Sequence, residues 1–312
     1  MKIDDEITLR KLFIFSVFME KGNIARTAEA LGMSAVSVHR ALHTLEAGLR
    51  CPLFVRKGRN LATLPAAHTL LEYSQKAIRM LERGLEETRR DAGYGHGRLR
   101  VGTLYSLTLE TVPRLIMGIK LRRPELEFDL TMGSNRMLVN MLEDGELDAI
   151  LINTSAGEID ASRFEALPVL HDEIYLAVPA SAELDRDLPV DLSGLSGEKF
   201  VSLAEGFATS ANFREAFEKA GFEPDIAARV NDIFSMISLV QAGVGYTLLP
   251  GRMKGVYESG IQLLRLAEPY RMRQTIAIVF AKNREMDPNL LALAAEGRMY
   301  ARTLEKRESG SD

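Results

Sequence analysis

Cysteine is almost absent from this chain, with Cys51 the single one among 312 residues. One cysteine cannot form an internal disulfide or a thiolate metal cluster, and its scarcity suits a reducing compartment. Cys51 precedes Pro52 and is predicted to occupy a turn, while a reactive thiol stays the open alternative.

The usual signatures of enzymes are also absent. The sequence contains no Gly-x-Ser-x-Gly elbow, no Walker loop and no His-Glu-x-x-His, and its five histidines are scattered or lie near the start. His39 and His43 have a spacing compatible with a metal ion, but no third ligand is evident. These absences argue against catalysis and predict neither a cofactor nor a metal site.

No apolar run approaches the length of a membrane span, and residues 1–13 carry charges where a secretory signal needs an apolar segment. The sequence therefore predicts a cytoplasmic protein. Its length exceeds what one hydrophobic core usually organises, so two or more domains are expected.

Charge is unevenly distributed along the chain. Residues 1–60 have a net charge of +4, whereas the whole chain has −4 and the remainder therefore −8. Because Lys and Arg supply most sequence-independent affinity for nucleic acid, this basic segment is the part expected to approach a polyanion. Chance asymmetry of solvated surfaces is the alternative.

Residues 23–46, "NIARTAEALGMSAVSVHRALHTLE", predict two short helices separated by a turn. Asn23 and Ser34 are expected to cap the two helices, and Gly32 ends the first. At 100° per residue, Val38, Leu42 and Leu45 fall on one side of the second helix. The opposite side is short and polar, and comprises Val36, Ser37, Arg40, His43 and Thr44.

A helix-turn-helix places such a face in the major groove of DNA. Arg40 can bind guanine, Ser37 can bond to several bases, and Val36 can contact a thymine methyl group. A generic helical hairpin is the alternative. The next segment favours the DNA-binding interpretation, because an apolar anchor at Leu53-Phe54 is followed by a predicted basic wing. Its residues expected to contact phosphates are Arg56 and Arg59.

From Pro65 a helix of about twenty-five residues is predicted. Apolar and small residues alternate steps of three and four along it, which indicates a seam of about three heptads for dimerisation; they are Leu71, Ser74, Ile78, Leu81, Leu85 and Thr88. An amphipathic helix lying on its own domain is the alternative. The Gly-rich segment 92–98 then predicts a boundary.

The rest of the chain alternates short apolar strands with amphipathic helices, which predicts an α/β domain with parallel sheets in two halves around a cleft. The segment 274–281 is expected to return to the first half. The predicted divisions are a DNA-binding domain at 1–65, a linker helix at 66–91, an effector domain at 92–304 with halves at 98–168 plus 271–304 and at 169–270, and a disordered tail at 305–312.

Ligands of open parallel sheets bind beyond the carboxyl ends of the strands, where helix N-termini attract anions. That rule predicts a small carboxylate as ligand. The polar residues that it selects are Thr103, Tyr105, Ser106, Ser134, Asn135, Arg136, Asn153, Ser202 and Asn231. Each of them singly is more often a helix cap or surface residue, so only the set carries the prediction.

The segment "GNIARTAEALGMSAVSVHRALHTLEAGLRCPLFVRKGR" resembles the winged helix-turn-helix of LysR-type transcriptional regulators, with Leu31, Leu45-Glu46 and the run 53–56 in register. The resemblance implies a winged helix-turn-helix, a long linker helix and a type II periplasmic-binding-protein-like effector domain. It also implies operator DNA, RNA polymerase and a second copy of the chain as partners, in a homodimer or homotetramer, and base contacts by Ser34, Ser37 and Arg40.

Four stretches are also similar to the branch of the family that controls malonate decarboxylase genes; they are residues 102–137, 200–224, 230–254 and 266–276. This likeness implies an activator whose effector is malonate or its thioester derivative, whereas the residues themselves indicate only a small anion. A LysR-type regulator of another carboxylate pathway is one alternative. A solute-binding module is the other, and the basic head argues against it.

Overall fold

The computed structural model describes residues 4–57, 60–91, 97–154, 159–185, 187–255 and 260–309. The chain divides into two compact units, residues 1–95 and 96–312. Among the described residues, no helix has the length and apolar character needed to cross a membrane.

The first unit is a helical domain with a two-stranded wing. Three helices surround an apolar core that includes Phe15, Phe18 and Leu45, and the two strands pair antiparallel. Its elements are α1 (Leu9–Lys21), α2 (Ile24–Leu31), α3 (Ala35–Leu49), β1 (Phe54–Lys57), β2 (Asn60–Thr63) and α4 (Pro65–Asp91).

The helix boundaries in this unit follow the predicted caps. The Asn23 side chain accepts a hydrogen bond from the backbone N–H of Arg26, and Ser34 accepts one from that of Ser37. Gly32 ends α2 at φ 59°, a left-handed conformation that glycine adopts without steric cost. The turn between α2 and α3 is therefore fixed by local sequence.

Helix α4 combines the two interpretations that its sequence allowed. Ala67 and Ser74 are buried, and Leu71 packs against the core of the first unit. Leu81 and Leu85, farther along the same seam, are 44% and 50% exposed. The first half of the helix thus lies on its own domain, while the second half presents an uncovered apolar seam.

The second unit contains two halves joined by long strands. In the first half, β3 pairs in parallel with β4 and β5, and helices α5, α6 and α9 accompany this sheet. The bounds are β3 (Arg98–Thr103), α5 (Thr111–Lys120), β4 (Glu127–Met132), α6 (Asn135–Glu143), β5 (Ala149–Asn153), β6 (Phe164–Pro179), β11 (Arg273–Ala281) and α9 (Pro288–Ser309).

The second half is built on the carboxyl end of β6, which pairs antiparallel with β9 and β10. Strands β7 and β8 form a parallel pair, and a bridge between Phe200 and Tyr246 connects this pair to β9. The bounds are β7 (Lys199–Leu203), α7 (Ala208–Ala220), β8 (Asp225–Val230), α8 (Ile233–Gln241), β9 (Thr247–Pro250) and β10 (Ile261–Arg265).

Several sequence predictions need correction here. The sheet of the first half is mixed, because β11 re-enters from the second half and is antiparallel to both β5 and β6. Strand β10 was not predicted. The halves meet near residue 173 of β6 instead of 168, since Val169 belongs to the core of the first half and Ile174 to that of the second.

The predicted disordered tail is wrong for residues 305–309, because α9 continues to Ser309. Glu305 and Lys306 are good helix formers, and no glycine or proline lies between Gly297 and Gly310. Residues 310–312 lie outside the described residues. The return of 274–281 to the first half is confirmed by the pairing of β11 with β5.

Candidate functional site

Helix α3 presents a polar face to solvent above a buried apolar face. Val38, Leu42 and Leu45 are buried beneath it. The exposed side carries the residues predicted to read bases, and only Thr44 among them is half-buried; they are Ser34, Val36, Ser37, Arg40, His43 and Thr44. Val36 is 77% exposed, which leaves an apolar side chain free for a thymine methyl group.

Two of these side chains also serve the helix itself. The Ser34 hydroxyl lies 2.8 Å from the Ser37 hydroxyl, in addition to capping α3. The Thr44 hydroxyl donates to the carbonyl of Arg40 over 2.9 Å. Arg40, in contrast, forms no ion pair with any described residue, so its guanidinium is available to an external acceptor.

The wing is held to α3 by the carboxylate of Glu46. The resemblance to the family placed Glu46 in register but predicted no role for it. Glu46 Oε1 accepts hydrogen bonds from the backbone N–H groups of Leu53, over 2.7 Å, and Phe54, over 3.1 Å. Arg56 on β1 is exposed and has no ion-pair partner in the described part of the chain. Arg59 lies outside the described residues.

His39 and His43, whose spacing is compatible with a metal ion, both lie on α3. The rings of His39 and His43 lie 6.4 Å apart, centroid to centroid, on the exposed surface of α3. No group of three or more His, Cys, Asp or Glu suited to a metal ion occurs among the described residues.

In the second unit, a small cavity of about 20 Å³ lies between the two halves, with room for about one water molecule. Its walls come from four separate parts of the chain. Its lining residues are Leu104, Tyr105 and Ser106 of the first half, and Leu203, Phe207, Ala208, Thr209, Ile233 and Arg252 of the second.

The most informative residue of this cleft is Arg252, which the prediction missed. Its side chain is 9% exposed and forms an ion pair of 3.0 Å with the equally buried Asp172. Arg252 Nε donates to the Ser106 hydroxyl over 2.9 Å, and Nη1 donates to Gln274 Oε1 over 3.1 Å. Nη2 has no hydrogen-bond partner among the described residues.

Burial shapes the electrostatics of this pair. Desolvation raises the pKa of Asp172 above its ordinary value, although the positive charge of Arg252 acts in the opposite direction. A buried ion pair recovers its desolvation cost only when its remaining donors and acceptors are satisfied. The remaining donor of Arg252 therefore favours an anion that enters the cleft.

The start of α7 adds a second set of donors. No side chain caps this helix, whose N-cap position is Phe207, so its first backbone N–H groups are not satisfied by a cap. Ala208 and Thr209 line the cavity. Thr209 is 8% exposed, and its hydroxyl has no hydrogen-bond partner among the described residues.

Of the nine predicted effector residues, Tyr105 and Ser106 line this cavity. Three others near it bond within their own half. Thr103 donates to the carbonyl of Leu104, Asn135 donates to the carbonyl of Asn153, and the Asn153 side chain accepts from the backbone N–H of Thr275.

The remaining four predicted residues do not line this cavity. Ser134 caps α6, and the exposed Arg136 donates its backbone N–H to the carbonyl of Gly206 across the two halves. Ser202 lines a different pocket of the second half, and Asn231 is exposed before α8. Arg252 follows the carboxyl end of β9, so the rule that selected the others applied to it as well.

Comparison with known families matches both units. The family described as "Bacterial regulatory helix-turn-helix protein, lysR family" matches residues 9–68. The LysR substrate binding domain matches residues 92–300.

Known proteins are similar over nearly the whole chain. A malonate utilization transcriptional regulator of Klebsiella pneumoniae is 67% identical over 97% of this chain and 99% of its own length. The transcriptional dual regulator GltC of Bacillus subtilis is 26% identical over 90% of this chain and 93% of its own. The crystal structure of full-length CbnR complexed with its target DNA has a TM-score of 0.72 and 22% identity, covering 95% of this chain and 100% of that one. With both family matches and the high identity to a curated regulator, the chain belongs to the LysR family of DNA-binding transcriptional regulators.

Proposed function

We propose that this regulator activates genes of malonate catabolism in the cytoplasm and responds to malonate, or a thioester derivative of it, bound between the two halves of its effector domain. The identity of the Klebsiella pneumoniae relative supports malonate as the effector. A regulator of another carboxylate pathway is the second candidate, because the cleft chemistry selects a carboxylate and not one particular acid.

The observation that carries the proposal is the buried cation in the cleft. Arg252 is fixed by Asp172, Gln274 and Ser106, and it retains Nη2 for a ligand. A preorganised guanidinium suits a carboxylate because both groups are planar and can form charge-assisted hydrogen bonds.

Malonate carries two carboxylates, and the cleft offers two sets of donors. One carboxylate binds Arg252 and the Ser106 hydroxyl, while the other meets the uncapped start of α7 and the Thr209 hydroxyl. A cavity of about 20 Å³ is too small for a dicarboxylate. Binding therefore requires the two halves to separate and repack around the ligand, which shifts the population of effector-domain conformations.

At the other end of the chain, Ser37 and Arg40 read base edges in the major groove, together with Ser34, Val36, His43 and Thr44. Arg56 and Arg59 of the wing contact phosphates. The exposed half of the α4 seam, with Leu81 and Leu85, supports a homo-oligomer, because a second copy would cover these side chains. Two recognition helices then meet half-sites about 34 Å apart, and effector binding changes how the oligomer bends DNA and contacts RNA polymerase.

Calorimetric titration of the full chain tests the effector assignment. We expect malonate to bind more tightly than succinate or acetate. Acetate has one carboxylate and reaches only one donor set, and the similar regulator of Klebsiella pneumoniae is a regulator of malonate utilization. Tighter binding of another carboxylate would identify that acid as the effector and would favour the second candidate function. No heat from any small carboxylate would contradict the cleft as the effector site.

A further inference from the structure

A second and much larger pocket, of about 570 Å³, lies within the second half of the effector domain. It is formed between α7 and the parallel pair β7 and β8, on the face of these strands that is opposite α8. A pocket of this volume lies in the range that holds small organic ligands. None of the residues that carry the proposed malonate site, Arg252, Ser106 and Thr209, lines it.

The interior of this pocket is largely aromatic. Phe213 and Phe217 of α7 are buried against β7, and Phe222 lies 5.3 Å from Phe217, centroid to centroid, in an edge-to-face arrangement. Ile226 of β8 also lines it. Such a lining accepts the apolar body of a ligand.

The lining of the pocket also includes polar side chains of β7 and β8. Ser202 is 7% exposed, lines the pocket, and its hydroxyl has no hydrogen-bond partner among the described residues. Arg229 is the register partner of Ser202 across the β7 and β8 pair. The Ser202 hydroxyl can therefore donate a hydrogen bond to a ligand in the pocket.

Two arginines also line the pocket. Arg214 lies in the middle of α7, and Arg229 lies near the end of β8. Arg214 and Arg229 are exposed and form no ion pair with any described residue. Both therefore retain their donors for a carboxylate.

The carboxylates of the pocket limit the charge of its ligand. Glu205, Glu218 and Glu223 also line the pocket, and Glu218 lies one helical turn after Arg214 on α7. These carboxylates would repel a polyanion, whereas a single carboxylate bound between the two arginines adds only one negative charge. The arrangement selects one negative charge at one end of an apolar molecule.

We propose that this pocket binds an organic monocarboxylate with an aromatic or similarly bulky apolar body, at a site separate from the malonate cleft. The carboxylate meets Arg214, Arg229 and the Ser202 hydroxyl, and the apolar body lies against Phe213, Phe217 and Phe222. This assignment does not depend on malonate being the effector of the cleft.

The second pocket and the malonate cleft share one lining residue and the first turn of α7. Leu203 lines both cavities, and the first turn of α7 contributes Thr209 to the cleft and Ser210 to the second pocket. A ligand that fixes this turn in the second pocket changes the affinity of the cleft, and the coupling is reciprocal. The second pocket is therefore placed to modulate the response to the effector.

Titration of the full chain with 3-phenylpropionate tests the site, with the uncharged 3-phenylpropanamide as its matched ligand. We expect one site per chain, a loss of at least tenfold in affinity for the amide, and a similar loss in Arg229→Gln and in Arg214→Gln. Ser202→Ala should lower affinity about threefold. Arg265→Gln removes the charge of another exposed strand arginine of the same half and should leave binding unchanged.

Failure of the wild-type chain to bind 3-phenylpropionate would overturn the proposal, as would equal binding of the amide or full affinity in both arginine variants. The same titrations with malonate separate this proposal from the previous one. Loss of malonate binding with retention of 3-phenylpropionate would contradict the cleft alone, and the reverse result would contradict the second pocket alone.

Discussion

Arg40 in the first unit and Arg252 in the second carry the same guanidinium in opposite environments. Arg40 is exposed on α3, whereas Arg252 is enclosed between the two halves beside Asp172. An exposed cation acts on a large polyanion through a field that salt screens. A buried cation needs a fixed counter-charge and acts on a small anion at short range, where screening is weak.

This difference predicts how each arginine responds to substitution. We expect removal of Arg40 to weaken DNA binding and to leave the fold unaffected, because Arg40 forms no ion pair with a described residue. Removing Arg252 leaves Asp172 buried without its partner. Stability and ligand binding are therefore coupled in the effector domain and separable in the DNA-binding domain.

The largest effect on stability is expected for Arg252→Gln. Loss of one partner of a buried ion pair costs about 3 to 5 kcal/mol, so urea unfolding of this variant should show a strongly destabilised effector domain. The double variant Asp172→Asn with Arg252→Gln should recover most of that stability, since no isolated charge remains. Its affinity for malonate should still fall at least tenfold, because a charge-assisted hydrogen bond contributes about 1.5 to 3 kcal/mol.

Arg273→Gln is the matched control for this pair. Arg273 is 79% exposed beside Glu173, and exposed pairs contribute about 0 to 1 kcal/mol. Equal destabilisation by Arg252→Gln and Arg273→Gln would contradict the contrast between buried and exposed arginines. Full malonate affinity in the double variant would remove Arg252 from the effector site.

The next largest effect is expected for Glu46, whose carboxylate joins the wing to α3. Glu46→Ala should destabilise the attachment of the wing by about 1 to 3 kcal/mol, since two backbone donors lose their acceptor. Faster hydrogen exchange at the amides of Leu53 and Phe54 would report this change. Glu20→Ala on α1, which removes an exposed carboxylate, should leave both amides protected.

Arg40→Ala should cost about 1 to 3 kcal/mol in binding to a preferred DNA sequence and relax the base preference at one position. The measurement is a binding assay against a fragment selected from random DNA, compared with a scrambled fragment. An equal loss on both fragments would mean that Arg40 contacts phosphate and not a base. The unfolding transition should stay unchanged in either case.

The smallest effect is expected for Arg56→Ala in the wing. Binding should weaken by a similar factor on all DNA sequences, and the slope of log affinity against log salt should fall by about one. Lys76→Ala serves as the control, because Lys76 is paired with Glu72. A loss confined to the preferred sequence would assign Arg56 to base recognition.

The DNA-binding domain was predictable because its signals are local. Asn23, Gly32 and Ser34 fix the helix boundaries within a few residues, and the 3.6-residue period separates Val38 and Leu42 from Arg40. The wing could be predicted from the apolar anchor at Leu53-Phe54 and the basic residues that follow it. The attachment of the wing by Glu46 was harder to predict, because its two hydrogen bonds join residues seven and eight positions apart.

The effector site was less predictable because its residues are far apart in the chain. Tyr105 and Ser106 were selected by their position after β3, but the same rule also selected Asn153, whose side chain bonds to its neighbouring strand. Ser202 likewise follows a strand and faces another pocket. Position at a strand end does not determine the direction of a side chain or the element that covers it.

The sequence by itself determined the two-unit organisation, the recognition helix with its buried and exposed faces, and the α/β character of the effector domain. Each of these depends on short-range periodicity, caps and charge. Only the tertiary structure decided that Arg252 joins Ser106 and Asp172 between the halves, that β11 enters antiparallel, and that Ser202 belongs to a second pocket. These features arise where segments separated by tens of residues meet, and local pattern carries no information on which of them will be neighbours.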